Sequence, residues 1–432
     1  MVLTGRVAVL LLLGAGPLLL RPETSTAWVW VLAVLLAVAT DLLLAVSPTR
    51  LEITRSAPTR VRQREESTTT LHVRNPGRRR VRGLVRDAWQ PSAGTRGERH
   101  RVSLGGGEAV ALTTALVPTR RGVRRADQVT VRSYGPLGLA ARQRTTAVTG
   151  SVRVVPPFWS RRLLPSRLTR LRELDGRTAV QVRGSGTEFD SLREYVRGDD
   201  TRSIDWRASA RSRTTVVRTW QPERDRRVVL VLDTSRTSAG RVAGVPRLDA
   251  AMEAVLLLTA LAGRAGDRVD LIAGDTVVRE TVRGRTSSPA AVLRQVEDAL
   301  ADLEPHLVEA DWDRLLAGVA TLGRDRALVV LLTPVEPDVV LDGLLPRLPQ
   351  LTARHQVVVA SVRDPELDQV ARQRDSAREV YAAAAAERDL TRRADAAGLL
   401  GALGVEVLDV DAEDLPAAVV DHYLALKAAG RL

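Results

Sequence analysis

From residue 226 onward, wholly aliphatic runs alternate with segments of helical spacing. This alternation restricts the chain more than any other feature. "RRVVLVLDTS", "RVDLIAG", "RALVVLLTP" and "QVVVASV" lack the polar alternation of a strand with one wet face, so each reads as a strand covered on both sides. Between them lie "RLDAAMEAVLLLTALAGRAG", an apolar-faced helix with a glycine stop, and "SPAAVLRQVEDALADL". "TVVRETV" adds a shorter strand. A helix-rich stretch over 367–404, the strand "VEVLDVD" and a helix over about 415–429 complete the pattern. It predicts an α/β fold, a doubly wound and mostly parallel sheet with helices on both faces, whose ligands belong beyond the C-terminal strand ends.

The preceding half differs in kind. Between Leu51 and Pro156, short period-two runs such as "TTTLHVRN", "AVALTTALV", "DQVTVRS" and "SVRVVP" are separated by turn signals such as "NPGRRR" and "LGGGE". They predict an all-β sandwich without catalytic residues. "RSYGPLGLAAR", Arg132 to Arg142, reads as a rigid Gly/Pro loop between strands.

At the N-terminus, Val7–Leu20 and Trp28–Val46 are apolar and joined by a short loop, a spacing that predicts a transmembrane hairpin. Asp41 lies near the end of the second segment, where reaching the interface costs little. Arg50, Arg55, Arg60, Arg62 and Arg64 follow that segment, whereas the loop carries Arg21 balanced by Glu23. The positive-inside rule then puts the C-terminal domains in the cytoplasm at the plasma membrane. If "STA" before Trp28 instead ends a cleavable signal, the second segment still acts as a stop-transfer with the same outcome. The expected domains are 1–47, two transmembrane helices; 48–156, the sandwich; 157–225, a linking segment; and 226–432, the α/β domain.

The formal charge of +13 is almost wholly arginine, since Lys427 is the single lysine. Without aromatic interleaving or a nucleic-acid motif, that charge fits an anionic membrane better than nucleic acid. A chain with no cysteine forms no disulfide and offers no thiolate. His72, His100, His306, His355 and His422 are scattered without zinc-ligand spacing.

The first strand-to-helix loop reads "DTSRTS". Asp233, Ser235 and Thr237 alternate as the chain leaves a strand, so one carboxylate and two hydroxyls can aim at a single hard cation. The same residues would also cap a helix. The D-x-S-x-[ST] pattern resembles the metal-ion-dependent adhesion site of von Willebrand factor A domains. That resemblance implies a von Willebrand factor A-like sheet, a further ligand at Thr286 in "GRTSSPAAVL", and Mg²⁺ or another divalent cation completed by a partner's carboxylate. It also implies a third-loop aspartate, where this chain has Pro334, with Glu336 the nearest acid.

The segment "GTEFDSLREYVRGDDTRSIDWRASARSRTTVVRTWQPERDR" carries acids, arginines and Trp206 with no long apolar face. Phe189, Leu192 and Tyr195 fall at helical spacing and predict a short helix stopped by Gly198, with Asp199 or Asp200 capping the next. Arginines and acids are expected to pair, with the acids and Trp206 tying the segment to the α/β domain and the exposed arginines, Arg193, Arg202, Arg207 and Arg211, left for partner docking. The segment resembles the signature of the bacterial domain-of-unknown-function 58 family. That family implies partnership with MoxR-type AAA+ ATPases in assembly or metal loading, without established catalysis. No Ser-His-Asp, Cys-His, P-loop or zinc pattern supports an enzyme, and no small-molecule substrate is evident. The expected function is a membrane-anchored cytoplasmic binding protein or scaffold. A metal-dependent hydrolase and a basic nucleic-acid binder are the alternatives.

Overall fold

The computed structural model describes residues 1–181, 188–197, 199–212, 214–221, 226–242, 244–284, 288–323 and 325–432. It divides into two units, Met1–Pro157 and Phe158–Leu432.

In the first unit two sheets stack. One contains Val81–Trp89, Arg99–Leu104, Gly122–Tyr134 and Ala140–Val155; the other contains Glu52–Ser56, Ser67–Arg74, Thr95–Arg96 and Ala109–Leu116. Leu71, Val73 and Leu112 from the second sheet meet Val85, Val129 and Val131 from the first in a dry core. Inside the same unit Arg55 and Asp87 form a fully buried ion pair at 2.5 Å. Trp89 Nε1 donates to the other Asp87 oxygen at 3.1 Å, and the Arg55 guanidinium lies 5.3 Å from the Trp89 ring centre.

The apolar N-terminus folds as Gly5–Leu13 and Ala15–Leu20, separated at Gly14, followed by the helix Thr24–Leu44. Of these, Thr24–Leu44 is long and apolar enough to cross a membrane. Asp41 departs from its sequence reading. Its side chain is wholly buried, and its carboxylate accepts the backbone N–H groups of Leu137 and Leu139 at 2.7 Å and of Ala140 at 2.9 Å. The glycine-rich loop turns three backbone donors within four residues inward, a concavity suited to an anion. Gly135 is required there, because a Cβ would lie 2.2 Å from Asp41 Oδ1.

The second unit holds the sheet that positions the candidate site. Its strands are β1 (Arg227–Asp233), β2 (Arg268–Gly274), β3 (Val278–Val282), β4 (Leu328–Leu332), β5 (Gln356–Val362) and β6 (Glu406–Val410). The order is β3-β2-β1-β4-β5-β6, all parallel except β3, which pairs antiparallel with β2. Successive β1 residues serve opposite layers. Val228, Leu230 and Leu232 pack with α1 (Arg247–Arg264), α2 (Pro289–Ala301) and α5 (Leu415–Ala428), whereas Val229 and Val231 pack with α3 (Trp312–Leu322) and the end of α4 (Ala377–Ala402). The expected α/β class and the two-sided burial of the strands are therefore observed. Helix α3 was not read from the sequence, although Asp311 caps it through the Arg314 N–H and Trp312, Leu315, Val319 and Leu322 form its buried face.

The short helix expected at Phe189, Leu192 and Tyr195 does not form. Glu188–Glu194 is a strand paired antiparallel with Val216–Gln221. Three residues at helical spacing are a weak signal, and the β-branched run "TTVV" offers a pairing partner that overrides it. The capping expectation holds further on: Asp200 accepts the Arg202 N–H at 2.9 Å, and Asp205 accepts the N–H groups of Arg207 and Ala208 at 3.0 Å to start Trp206–Ser212.

Candidate functional site

Chain direction sets the site. In a doubly wound sheet the connections leave β1 and β4 toward opposite faces, so a crevice opens beyond their C-terminal ends. Leu232 is in register with Leu332, which makes Asp233 and Thr333 the first residues past that pairing. Across the crevice Thr333 Oγ1 donates to Asp233 Oδ2 at 2.8 Å. The Ser235 N–H donates to Asp233 Oδ1 at 2.7 Å, Thr237 Oγ1 lies 3.4 Å from Oδ2, and the Ser235 and Thr237 hydroxyls are 3.1 Å apart. Three of the sequence-derived residues, Asp233, Ser235 and Thr237, are thus brought together; Thr286 lies outside the described residues. Thr333 was missed, because the reading sought an acid in that loop and passed over a hydroxyl.

The cluster is buried. Asp233 is 0% exposed, and Ser235, Thr237 and Thr333 are each below 5%. Burial raises the Asp233 carboxyl above its ordinary range, against the hydrogen bonds from the Ser235 N–H and Thr333 that favour the anion. Glu336, the nearest acid to the expected third-loop position, is committed elsewhere: Arg247, in the first turn of α1, pairs with it at 2.5 Å and reaches the Thr237 carbonyl at 3.4 Å. The crevice therefore carries one carboxylate of its own.

A second polar group flanks it. Asp275, just past β2, accepts Thr234 Oγ1 at 2.9 Å, the Thr276 N–H at 2.7 Å, and Arg279 Nε and Nη2 at 2.6 and 2.9 Å. Burial pushes its pKa up, but the Arg279 and Thr234 bonds outweigh it and pull the value down to about 2. His306 Nδ1 lies 3.2 Å from the same carboxylate.

The donor set can be tested against a cation. Cis oxygens around Mg²⁺ stand about 3 Å apart. The oxygen separations of 2.8, 3.1 and 3.4 Å among Thr333, Asp233, Thr237 and Ser235 fall around that spacing. The chemistry is all hard oxygen, which suits Mg²⁺ and disfavours zinc. Among the described residues no three His, Asp or Glu side chains converge on one point, so an ion here depends on hydroxyls and on groups from outside.

The arginines assigned to docking are divided by the structure. Arg193 is engaged with Asp199 at 2.6 Å, as is Arg218, outside that set, with Asp205 at 2.8 Å. Arg202, Arg207 and Arg211 are exposed. Trp206 is 71% exposed and does not tie the segment down, contrary to expectation. It sits in the first turn of a short helix in which Ala208 and Ser209 are only half-buried.

Residues 191–393 match the model of the family described as protein of unknown function DUF58, a match that covers all but the first five residues of the signature segment and most of the α/β sheet. Uncharacterized proteins of Mycobacterium bovis and Mycobacterium tuberculosis are 26% identical over 186 residues, 43% of this chain. The chain spans 57% of the length of these relatives. A solved structure described as conserved hypothetical protein BatB from Bacteroides thetaiotaomicron aligns over 48% of this chain and 99% of its own, at 14% identity and a TM-score of 0.30. An aerotolerance-related membrane protein of Bacteroides fragilis aligns over 46% and 98%, with the same identity and TM-score.

Proposed function

We propose that this chain is a membrane-anchored binding protein that holds a divalent cation at Asp233, Ser235 and Thr237, with Thr333 supporting the carboxylate; Thr286, outside the described residues, is the further ligand that the family resemblance implies. The observation that carries the reading is the gathering of one carboxylate and three hydroxyls at the crevice beyond β1 and β4. With a single carboxylate on the protein side, the cation would keep positive charge to offer, and an acidic side chain of a partner would complete its coordination. This is the arrangement of a von Willebrand factor A-like adhesion site with its third-loop acid replaced by hydroxyl chemistry. Thr24–Leu44 supplies the anchor, and the arginines after it favour a cytoplasmic location for both units.

Exposed Arg202, Arg207 and Arg211 beside exposed Trp206 give the surface a composition typical of interface centres. The partner implied by the family resemblance is a MoxR-type AAA+ ATPase, with a role in assembly or maturation of other proteins. The test is affinity purification of the full chain from native membranes with and without chelator. Capture of an AAA+ ATPase that depends on Mg²⁺ and is lost in Asp233→Ala supports the reading. Capture indifferent to both removes the cation from it.

A further inference from the structure

Within the first unit, a cavity of about 550 Å³ opens at the C-terminal end of Thr24–Leu44. Arg50, Arg78, Arg79 and Arg142 line it, and no carboxylate does. Two of these arginines are fixed by the helix end. Arg142 Nε donates to the Leu42 carbonyl at 3.1 Å, and Arg79 Nη2 donates to the Leu44 carbonyl at 2.8 Å. Each guanidinium has five N–H groups, so most of their donors remain for another acceptor.

The turn that presents Arg78 and Arg79 is built rather than loose. Asn75 is 1% exposed, its Nδ2 donates to the carbonyls of Arg79, Leu104 and Gly105, and its Oδ1 accepts the Gly77 N–H. Arg50 and Arg78 are exposed and have no acid partner among the described residues. Four cations converging on one cavity repel each other and call for an anion. Position identifies its source: Leu43 and Leu44 above the cavity are 74% and 44% exposed, as lipid-facing residues of a spanning helix would be. The cavity then sits at headgroup depth, where basic pockets meet phospholipid phosphates.

We propose that this cavity binds the headgroup of an anionic phospholipid such as phosphatidylglycerol, with its phosphodiester held by Arg50, Arg78, Arg79 and Arg142. The proposal rests on the anchoring role of Thr24–Leu44. The lack of a lining carboxylate gives the choline or ethanolamine cation of a zwitterionic lipid no counter-charge, so the site discriminates by net charge.

The test uses the full chain in a neutral maltoside detergent, titrated with dihexanoyl phosphatidylglycerol, dihexanoyl phosphatidylcholine or inorganic phosphate, with binding read by calorimetry. Phosphatidylglycerol is expected to bind, phosphatidylcholine not to compete, and equimolar inorganic phosphate not to displace it. Arg50→Gln and Arg78→Gln, which remove no contact within the protein, should each weaken binding about five-fold. Arg80→Gln, outside the cavity, should leave it unchanged. Equal binding of the two lipids, or full binding by a chain carrying both Arg50→Gln and Arg78→Gln, would overturn the proposal. Displacement by equimolar phosphate would reassign the cavity to a free anion and likewise overturn the lipid. Flotation with pure phosphatidylcholine vesicles separates the two readings. If the full chain floats while phosphatidylglycerol selectivity is absent, only the headgroup site fails; if it does not float, the anchor itself fails.

Discussion

At the residue scale, the candidate site turns on one buried carboxyl. Because burial raises the Asp233 pKa, the folded protein takes up a proton more readily than the unfolded chain does. The unliganded fold should therefore gain stability as pH falls through that raised value, while Mg²⁺, which needs the anion, binds less tightly over the same range. Asp233→Asn removes the cost of the buried charge. The variant is expected to melt at or above the wild-type temperature without Mg²⁺ and to lose the Mg²⁺-induced rise, both measurable by calorimetry. Asp275 has the opposite sign. Held at about 2, it stabilises the fold above the ordinary carboxylate range and loses that contribution as pH falls toward 2. Arg279 supplies the largest share of that depression, so Arg279→Leu should cost on the order of 1 kcal/mol at neutral pH, after allowing for solvent screening, and shift acid unfolding to higher pH. In the first unit, Asp87→Asn strands the buried Arg55 guanidinium, and about 3–5 kcal/mol is expected from denaturant unfolding.

At the scale of elements, two features went unread in the sequence for different reasons. Helix α3 was legible: Asp311 at its cap, apolar residues at Trp312, Leu315, Val319 and Leu322, and Gly323 at its end spell a helix. It was overlooked because the strands around it dominate the pattern. The strand Glu188–Glu194 was not legible, since its partner lies beyond an intervening helix and only pairing chooses between extended and helical spacing. The seating of Asp41 belongs with the second kind. A carboxylate near a helix end reads as harmless, yet the loop of residues 135–140 wraps three N–H donors around it from almost a hundred residues away. Asp41→Ala leaves those donors unpaired and should destabilise the first unit by about 3 kcal/mol or more. Calorimetry on the full chain in detergent should show one transition lowered and the other in place.

At the scale of the whole molecule, the two units have separate cores, one of sheet on sheet and one of helix–sheet–helix. Two calorimetric transitions follow from that division, and a single cooperative transition would contradict it. The sequence by itself determined the class of each region. Uninterrupted aliphatic strands can only be buried on both faces, alternating strands on one, and about twenty apolar residues suffice for a span; these are local properties of the chain. The Asp233, Ser235 and Thr237 trio was equally local, because all three lie within five consecutive residues. Tertiary structure alone decided that Thr333 joins them, that Arg247 takes Glu336 away, that Asp41 is clasped by a distant loop, and that four arginines from three separate stretches share one cavity. Each of these depends on strand order or on contacts between residues far apart in the chain, and no spacing along a single sequence encodes which remote groups the folded backbone will bring within 3 Å.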